Sequence, residues 1–252
     1  MKNKVSNKRW KLAQSFEKKL WDSMPEKEIL ENSKYYSEKL DFLLEELRKK
    51  IRITKKTKFL QIGCGPDDII NKIKIGKRCS IDPLADFYKS KFNINYKDTN
   101  LIRGVGEKLP YPDNYFDVII LANVLDHTKN AEKVLSEVKR VLNKNGIFYV
   151  ECHFYQKNFL TLSKVYGFFK RKFTKKIFNP CHPHMLSLLE LKKLIKRYFI
   201  IYSEISGKDI EKEIYTLEDL KKFLKKEKFT RRFPAIFGLY GVINYTCFCK
   251  KK

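Results

Sequence analysis

Short apolar runs alternate with stretches of helical periodicity through the middle of the chain. Strands are predicted at four of these runs, over residues 58–62, 78–82, 117–121 and 146–152. Before the last of them, residues 131–142 place their alanine, valine and leucine side chains on one stripe of a helix. Strands that alternate with helices are typical of a parallel sheet with crossover helices, so the sequence predicts an α/β domain.

Apolar positions at the N-terminus also follow a helical period. They begin with Trp10, Phe16 and Leu20. The pattern returns later at Leu40, Leu43, Leu44, Leu47 and Ile51. We therefore expect two helices before the core, which pack across a sheet edge, cap a substrate pocket, or do both. Residues 1–55 are interpreted as a helical cap.

The C-terminal half adds the remaining elements of the predicted domain. Residues 188–198 predict a helix, residues 199–205 predict a strand, and residues 240–250 predict a final strand. With the core strands, these elements indicate one main domain over residues 56–252.

Two insertions interrupt this domain, at about residues 156–186 and 208–232. The first contains seven Lys or Arg residues, no Asp or Glu, and many aromatic side chains. We expect it to be a lid, because segments that close over a substrate often occupy long connections. A helix packed on the core, a membrane-surface helix and a nucleic-acid contact are the alternatives. The second insertion is charged and predicted to be helical in part.

The chain is strongly basic. Its 54 Lys and Arg residues against 29 Asp and Glu residues give a formal net charge of +25 over 252 residues. Such a field attracts nucleic acid, an anionic membrane or an acidic substrate. Most of the excess is scattered lysine, which equally suits solvated helix faces, so both explanations stay open.

Neither a secretory leader nor a membrane span is predicted. The N-terminus is charged and has no apolar core, so we expect a cytoplasmic protein. Residues 233–249 are uncharged, but Pro234, Gly238 and Gly241 make them a poor spanning helix. Peripheral contact with a membrane stays open.

The cysteines do not indicate a metal centre. Six are spread through the chain without a paired C-x-x-C spacing, so cytosolic thiols are expected and no metal is predicted. Cys181, His182 and His184 are ligand types, but their spacing does not require a metal.

A glycine turn directly after the first strand is the first chemical motif. Gly63 and Gly65 permit a sharp turn and leave room for a ligand against the main chain. A dinucleotide fingerprint would need a third glycine at Asp68, and a phosphate-binding loop would need Lys followed by Ser or Thr. The acids Asp67 and Asp68 would also repel a pyrophosphate. The turn therefore indicates a ligand without phosphates.

Asp82 ends the second predicted strand, where a carboxylate can accept hydrogen bonds from both hydroxyls of a ribose. A glycine turn, an acid after the second strand and no phosphate cradle together favour an adenosyl group. S-adenosylmethionine (SAM) fits this combination best.

These motifs and four later ones occur in the order found in a known family. The series is Gly63-Cys64-Gly65, Ile81-Asp82-Pro83-Leu84, Gly106-Glu107-Lys108-Leu109-Pro110, Phe116-Asp117-Val118-Ile119-Ile120, Asn123-Val124-Leu125-Asp126-His127 and residues 138–146. The chain resembles the type 11 branch of class I SAM-dependent methyltransferases over residues 58–151. The resemblance implies a Rossmann-like, seven-stranded and mostly parallel sheet with an antiparallel last strand.

The resemblance also implies a SAM site. Its implied contacts are Gly63, Cys64 and Gly65 with the methionine part, Asp82 with the ribose, Pro83 and Leu84 with adenine, Gly106 and Glu107 near the adenine amine, and Ala122 and Asn123 below the sulfonium. Gln61 replaces the usual acid of the first motif, and Val105 stands where many relatives have Asp. Gln61 can still hydrogen-bond, so changed affinity rather than lost binding is expected.

Catalytic candidates follow from the same comparison. Asp126 and His127 lie where relatives meet their acceptor, and a histidine beside an acid can serve as a base near neutral pH. A hydrogen-bonded structural turn is the alternative. His153, after the fifth strand, is a further catalytic candidate. His182 and His184 are candidates for substrate binding or for anchoring the insertion.

The acceptor is less constrained than the cofactor. The type 11 resemblance implies a small-molecule, lipid or glycan acceptor. The charge favours RNA as a rival, although residues 121–124 lack the Asn/Asp-Pro-Pro-aromatic signature of enzymes that methylate amino groups of nucleic acids. The departures at Gln61 and Val105 leave a third reading open, a SAM-binding or nucleic-acid-binding module without catalysis.

Overall fold

Seven strands form one mixed sheet in the computed structural model, which describes residues 4–25, 37, 39–66, 69–92, 99–155, 157–175, 177–206 and 242–252. The strands are β1 (Lys58–Ile62), β2 (Lys77–Asp82), β3 (Thr99–Arg103), β4 (Phe116–Ala122), β5 (Leu142–Tyr155), β6 (Phe199–Ser206) and β7 (Val242–Lys251). The helices are α1 (Asn7–Ser23), α2 (39–48), α3 (Ala85–Lys91), α4 (Ala131–Val141), α5 (Lys157–Thr174) and α6 (Leu188–Lys196).

The strand order is β3-β2-β1-β4-β5-β7-β6. Strands β1 to β5 pair in parallel, whereas β7 runs antiparallel to both β5 and β6. The predicted Rossmann-like sheet with an antiparallel last strand is therefore confirmed. The order reverses between β1 and β4, and ligands of such sheets bind in the crevice that this reversal opens at the carboxyl ends of the strands.

Both faces of the sheet are buried, which explains the continuous apolar runs in its central strands. Helix α4 buries Val134, Leu135 and Val138 against one face, and Asn130 caps it by accepting a hydrogen bond from the Lys133 backbone N–H. On the other face, α2 buries Leu43 and Leu47 in a second cluster. Of the two expected N-terminal helices, α2 thus belongs to the core.

Several elements differ in extent from the sequence-based expectation. Strand β3 was not predicted, because only two of its residues, Thr99 and Leu101, are buried. Strand β5 already begins at Leu142, where the predicted helix over 131–142 was expected to end. The insertion at 208–232 lies outside the described residues, as do Asp67 and Asp68. In the described part of the chain, no helix is long and apolar enough to cross a membrane.

Candidate functional site

A cavity of about 180 Å³ opens at the carboxyl ends of β1, β2 and β4, at the point where the strand order reverses. All of the positions assigned to the cofactor from the sequence line it. They are Gln61, Gly63, Cys64, Gly65, Asp82, Pro83, Leu84, Gly106, Glu107, Ala122 and Asn123. The structure thus brings together residues from several loops that the sequence only places in order.

The two glycines of the turn after β1 adopt the left-handed backbone conformation. Gly63 and Gly65 both have φ of +65°, a region that side chains with a Cβ disfavour. A Cβ on Gly63 would lie 2.4 Å from Val124 Cγ2, so this glycine also permits close packing. The Gly63 N–H donates to the Ile81 carbonyl at 2.8 Å, which ties the turn to β2.

Asp82 connects the two loops that form one wall of the cavity. Its Oδ2 accepts a hydrogen bond from the Gly65 N–H at 3.2 Å, and its Oδ1 accepts one from the Leu84 N–H at 2.8 Å. The side chain lines the cavity and is almost fully buried. A carboxylate on a cavity wall can accept hydrogen bonds from ligand hydroxyls.

Gln61 and Glu107 each hold a neighbouring loop. Gln61 Oε1 accepts a hydrogen bond from the buried Ile70 N–H at 3.0 Å, which fixes the short 3-10 helix Ile70–Lys72 beside the glycine turn. Glu107 Oε1 accepts from the N–H groups of Lys129 and Asn130 at 2.8 and 2.9 Å. The amide at Gln61 therefore has a structural role for which no charge is needed.

Helix α1, one of the two N-terminal helices expected from the sequence, forms a wall of the cavity through residues that sequence reasoning did not single out for the site. Trp10, Gln14, Glu17 and Trp21 recur at helical spacing and all line the cavity. Trp21 Nε1 donates to Glu17 Oε1 at 3.0 Å, which orders this face. The helical period was visible in the sequence, but which side of the helix meets the site was not.

Two amide oxygens on this lining are buried without a hydrogen-bond partner. They are Oε1 of Gln14 and Oδ1 of Asn123. Asn123 also has φ of +56°, a conformation that costs free energy in residues with a Cβ and is often found at functional sites. Buried acceptors normally have partners, so this pair indicates a ligand that carries donors.

Asp126 lies at the centre of a histidine cluster beside the cavity. Its Oδ2 is 2.7 Å from His182 Nδ1 and 3.9 Å from His127 Nε2, and its Oδ1 has no hydrogen-bond partner. The Asp126 carbonyl accepts from the His184 N–H at 3.1 Å. His127 Nδ1 is 3.6 Å from Glu17 Oε2 of α1. The first insertion therefore returns to the site at two points.

The charges in this cluster are set by burial and by one another. Burial alone would raise the pKa of the Asp126 carboxyl, but His127 and His182 outweigh it and hold this pKa well below its ordinary value. Burial lowers the pKa of His182, but the hydrogen bond and charge of Asp126 raise it by more, so the net shift is upward. Because the carboxylate is ionised, His182 Nδ1 is the donor of the 2.7 Å hydrogen bond.

The remaining histidine candidates have different positions. His127 lines the cavity, whereas His153, His182 and His184 are not among its lining residues. Burial lowers the pKa of both His153 and His184, which favours their neutral forms.

Ligand atoms of Asp126, His127 and His182 lie within 4.8 Å of one another, close enough to consider a metal ion. The 2.7 Å contact between Asp126 and His182 is, however, the length of a charge-assisted hydrogen bond.

Comparison with known proteins adds a family to this geometry. Residues 60–150 match the family model described as a methyltransferase domain. A ubiquinone/menaquinone biosynthesis C-methyltransferase of Vibrio vulnificus is 31% identical over 118 residues, which cover 42% of this chain and 45% of that protein. A sterol 24-C-methyltransferase of Gibberella zeae is 33% identical over 79 residues, or 31% of this chain and 19% of that protein. The chain thus spans less than half the length of these two curated relatives.

Solved structures share the fold over most of the chain. A putative sarcosine dimethylglycine methyltransferase from Galdieria sulphuraria superimposes with a TM-score of 0.56 at 15% identity, covering 85% of this chain and 86% of that one. A putative methyltransferase from Bacillus halodurans gives a TM-score of 0.55 at 15% identity, covering 82% and 98%. At these identities the likeness concerns the fold alone.

Proposed function

We propose that this chain, whose residues 60–150 match a methyltransferase domain, is a class I SAM-dependent methyltransferase that transfers a methyl group from SAM to a small-molecule, lipid or glycan acceptor. SAM would supply an electrophilic methyl group on a sulfonium. The tasks of the protein are then to hold the cofactor, to align the acceptor and to remove a proton from it.

The two unpaired amide oxygens in the cavity carry this proposal. The methionine part of SAM ends in an ammonium group with three N–H donors, which would satisfy Gln14 Oε1 and Asn123 Oδ1. The glycine turn allows that part to lie against the main chain. The Asp82 carboxylate lines the same cavity, and carboxylate oxygens accept hydrogen bonds from ribose hydroxyls.

The charge of the cavity also supports a cationic ligand. Among the described residues that line it, Glu17, Asp82 and Glu107 are acidic and none is Lys or Arg. This contrasts with the net charge of +25 of the whole chain. Carboxylates favour a sulfonium and an ammonium group and disfavour a pyrophosphate. The local charge therefore fits SAM better than a dinucleotide.

His127 is the proposed base. It lines the cavity, and carboxylates lie on two sides of its ring, Glu17 near Nδ1 and Asp126 near Nε2. These carboxylates can balance the positive charge that the ring would gain on accepting a proton from the acceptor. Asp126 and His182 are proposed as positioning residues, because their hydrogen bond fixes the carboxylate next to His127.

The acceptor class rests on the relatives. The names of the partial matches mention ubiquinone/menaquinone biosynthesis and a sterol. Quinones of this kind and sterols are apolar small molecules or lipids. We propose a similar class here, without a specific acceptor.

Titration calorimetry with SAM tests the cofactor site. Asp82→Ala should weaken SAM binding by about tenfold or more, because the ribose and the Gly65 N–H lose their acceptor. Asp86→Ala is the matched control, since Asp86 is an exposed carboxylate that pairs with Arg103 outside the cavity. Equal SAM affinity in the two variants, or no binding by the wild-type chain, would contradict the site.

Methyl transfer from radiolabelled SAM into fractionated cell extract tests the reaction and the acceptor. We expect label in the lipid or small-molecule pool, and a large loss of label with His127→Gln at unchanged SAM affinity. Label in RNA would assign the rival acceptor class. SAM binding without label in any pool would favour a non-catalytic module.

A further inference from the structure

Helix α5 exposes an apolar stripe along its length. Leu162, Val165, Tyr166, Phe169 and Phe173 recur at helical spacing and are 49–75% exposed. With the neighbouring Phe168, they are half of the large apolar side chains that are exposed in the described part of the chain. Contiguous exposed apolar surface of this kind marks an interaction site.

The stripe faces away from the rest of the protein. Ser163 is buried, and Leu160 and Gly167 are partly buried, so the helix rests on the protein through this opposite side. A Cβ on Gly167 would lie 3.4 Å from Phe178 Cβ, which shows how closely the two segments approach. None of the described residues of α5 lines the cavity, and the lid role expected for the insertion stays a prediction.

The charge around the stripe has one sign. Helix α5 contains five Lys or Arg residues, and the sequence has no Asp or Glu from residue 152 to residue 189. Lys164, Arg171 and Lys172 are exposed, and Lys170 lies 5.7 Å from the Tyr166 ring centroid. Basic residues beside aromatic and aliphatic ones are typical of helices that lie in the interface of an anionic bilayer.

We propose that the outer face of α5 docks on a bilayer that contains anionic phospholipids, with the stripe below the headgroups and the basic side chains among them. A second copy of the chain fits less well, because it would bring the same basic residues together. Nucleic acid would use the charge but leave Leu162, Val165 and Phe173 in water.

The position of α5 connects this surface with the site. The helix begins two residues after Tyr155, the end of β5, and the segment that follows it returns to Asp126 through His182. Docking would hold this side of the molecule at the membrane, where a lipid acceptor would be met. Vesicle binding itself needs neither cofactor nor acceptor, so the proposal stands independently of the proposed function.

Flotation of the full chain with vesicles tests the proposal. The chain should bind phosphatidylcholine vesicles that contain about one-third phosphatidylglycerol and bind pure phosphatidylcholine far more weakly. Phe169→Ser with Phe173→Ser should lower binding to the anionic vesicles by about tenfold or more, since two aromatic side chains are lost from the interface. Neutralising Lys170, Arg171 and Lys172 to Gln should lower it by a similar or larger factor.

Leu189→Ser is the matched control. Leu189 is 63% exposed on α6, outside the stripe, so this variant should bind vesicles like the wild-type chain. Circular dichroism of all variants checks that these exposed substitutions leave the fold intact.

Three results would overturn the proposal. The first is no binding to anionic vesicles, or binding that Phe169→Ser with Phe173→Ser does not change. The second is a wild-type dimer, seen by sedimentation equilibrium, that is absent in the double variant, together with no binding of the wild-type chain to vesicles. The third is a wild-type chain that does not bind vesicles, together with a double variant that still binds an RNA oligonucleotide. This result would indicate that the basic residues of α5 contact nucleic acid.

Discussion

His182 Nδ1 donates a 2.7 Å hydrogen bond to Asp126 Oδ2, although 56 residues separate the two in the chain. The same segment gives a second bond, from the His184 N–H to the Asp126 carbonyl. The connection after β5 is therefore fastened next to His127, the histidine that lines the cavity. Residues of the first insertion, which is distant from Asp126 in the chain, thus lie beside the candidate site.

This pair should give the protein a characteristic dependence of stability on pH. The pKa of His182 is raised in the folded state. Its contribution to the free energy of unfolding is therefore fully present below the pKa of the unfolded chain, about 6.5, and is lost as pH rises through the pKa of the folded protein. The pKa of Asp126 is depressed, so its contribution is present above about pH 4 and is lost as pH falls further. The His182→Gln variant should lack the loss of stability that the wild-type protein shows as pH rises through the folded pKa of His182.

Urea unfolding of wild-type and His182→Gln protein between about pH 5 and 8 measures this effect as a difference. His153 and His184 have lowered pKa values and contribute with the opposite sign, but they are common to both proteins. Parallel pH profiles of the two proteins would show that His182 does not titrate against Asp126.

The glycine turn should be sensitive to side-chain addition at one glycine more than at the other. Gly63→Ala introduces both a strained φ and a Cβ 2.4 Å from Val124 Cγ2, whereas a Cβ on Gly65 would meet nothing closer than Trp21 at 3.8 Å. We expect Gly65→Ala to cost about 1–2 kcal/mol of unfolding free energy from the backbone alone. Gly63→Ala should cost about 1–3 kcal/mol more through overpacking.

Chemical denaturation of the two glycine variants and of Gly63→Ala with Val124→Ala checks this difference. The second substitution should recover part of the loss in the double variant, because it removes both Cγ atoms of Val124. Equal losses of unfolding free energy in Gly63→Ala and Gly65→Ala would mean that the packing of Val124 against Gly63 does not contribute to stability.

Substitution of Gln14 should have opposite effects on the stability of the free protein and on its affinity for SAM. Its Oε1 is buried without a partner, and such a group costs about 1–3 kcal/mol. Gln14→Met keeps the length of the side chain and removes this polar group, so the free protein should be as stable as the wild-type chain or more stable. SAM binding should weaken at the same time. Thermal unfolding with and without SAM measures both effects, and a destabilised free protein would show that Oε1 already has a partner.

Arg9 should stabilise the connection between α1 and the first insertion. Its guanidinium donates to the carbonyls of Pro180, Asn179 and His182 at 2.6, 3.0 and 3.2 Å, respectively. Arg9→Met should therefore cost about 1.5–3 kcal/mol, the usual contribution of hydrogen bonds to a charged group.

Lys8→Met is the control for Arg9, since Lys8 is an exposed cation of the same helix. Denaturant unfolding compares the two variants, and methyl transfer should fall with Arg9→Met through displacement of His182. An Arg9→Met variant as stable and as active as Lys8→Met would rule out this role.

The sheet and the turns at the carboxyl ends of its strands could be predicted from the sequence because each depends on neighbours in the chain. The apolar runs of β1, β2 and β4 were found almost to the residue. Gly63, Gly65 and Asp82 were recognised because a turn at a strand end depends on local conformation. Strand β3 was not predicted because an edge strand with few buried residues has a weak pattern of apolar residues.

Sequence alone determined the alternation of strands and helices, the glycine turn and the acid that ends β2, since local backbone conformation and side-chain period need only adjacent residues. The tertiary structure decided that α1 lines the cavity, that His182 meets Asp126, and that the apolar side of α5 faces outward. These relationships depend on the path of the chain between distant segments. An amphipathic helix has the same sequence pattern whether its apolar side is buried against the core or left exposed on the surface.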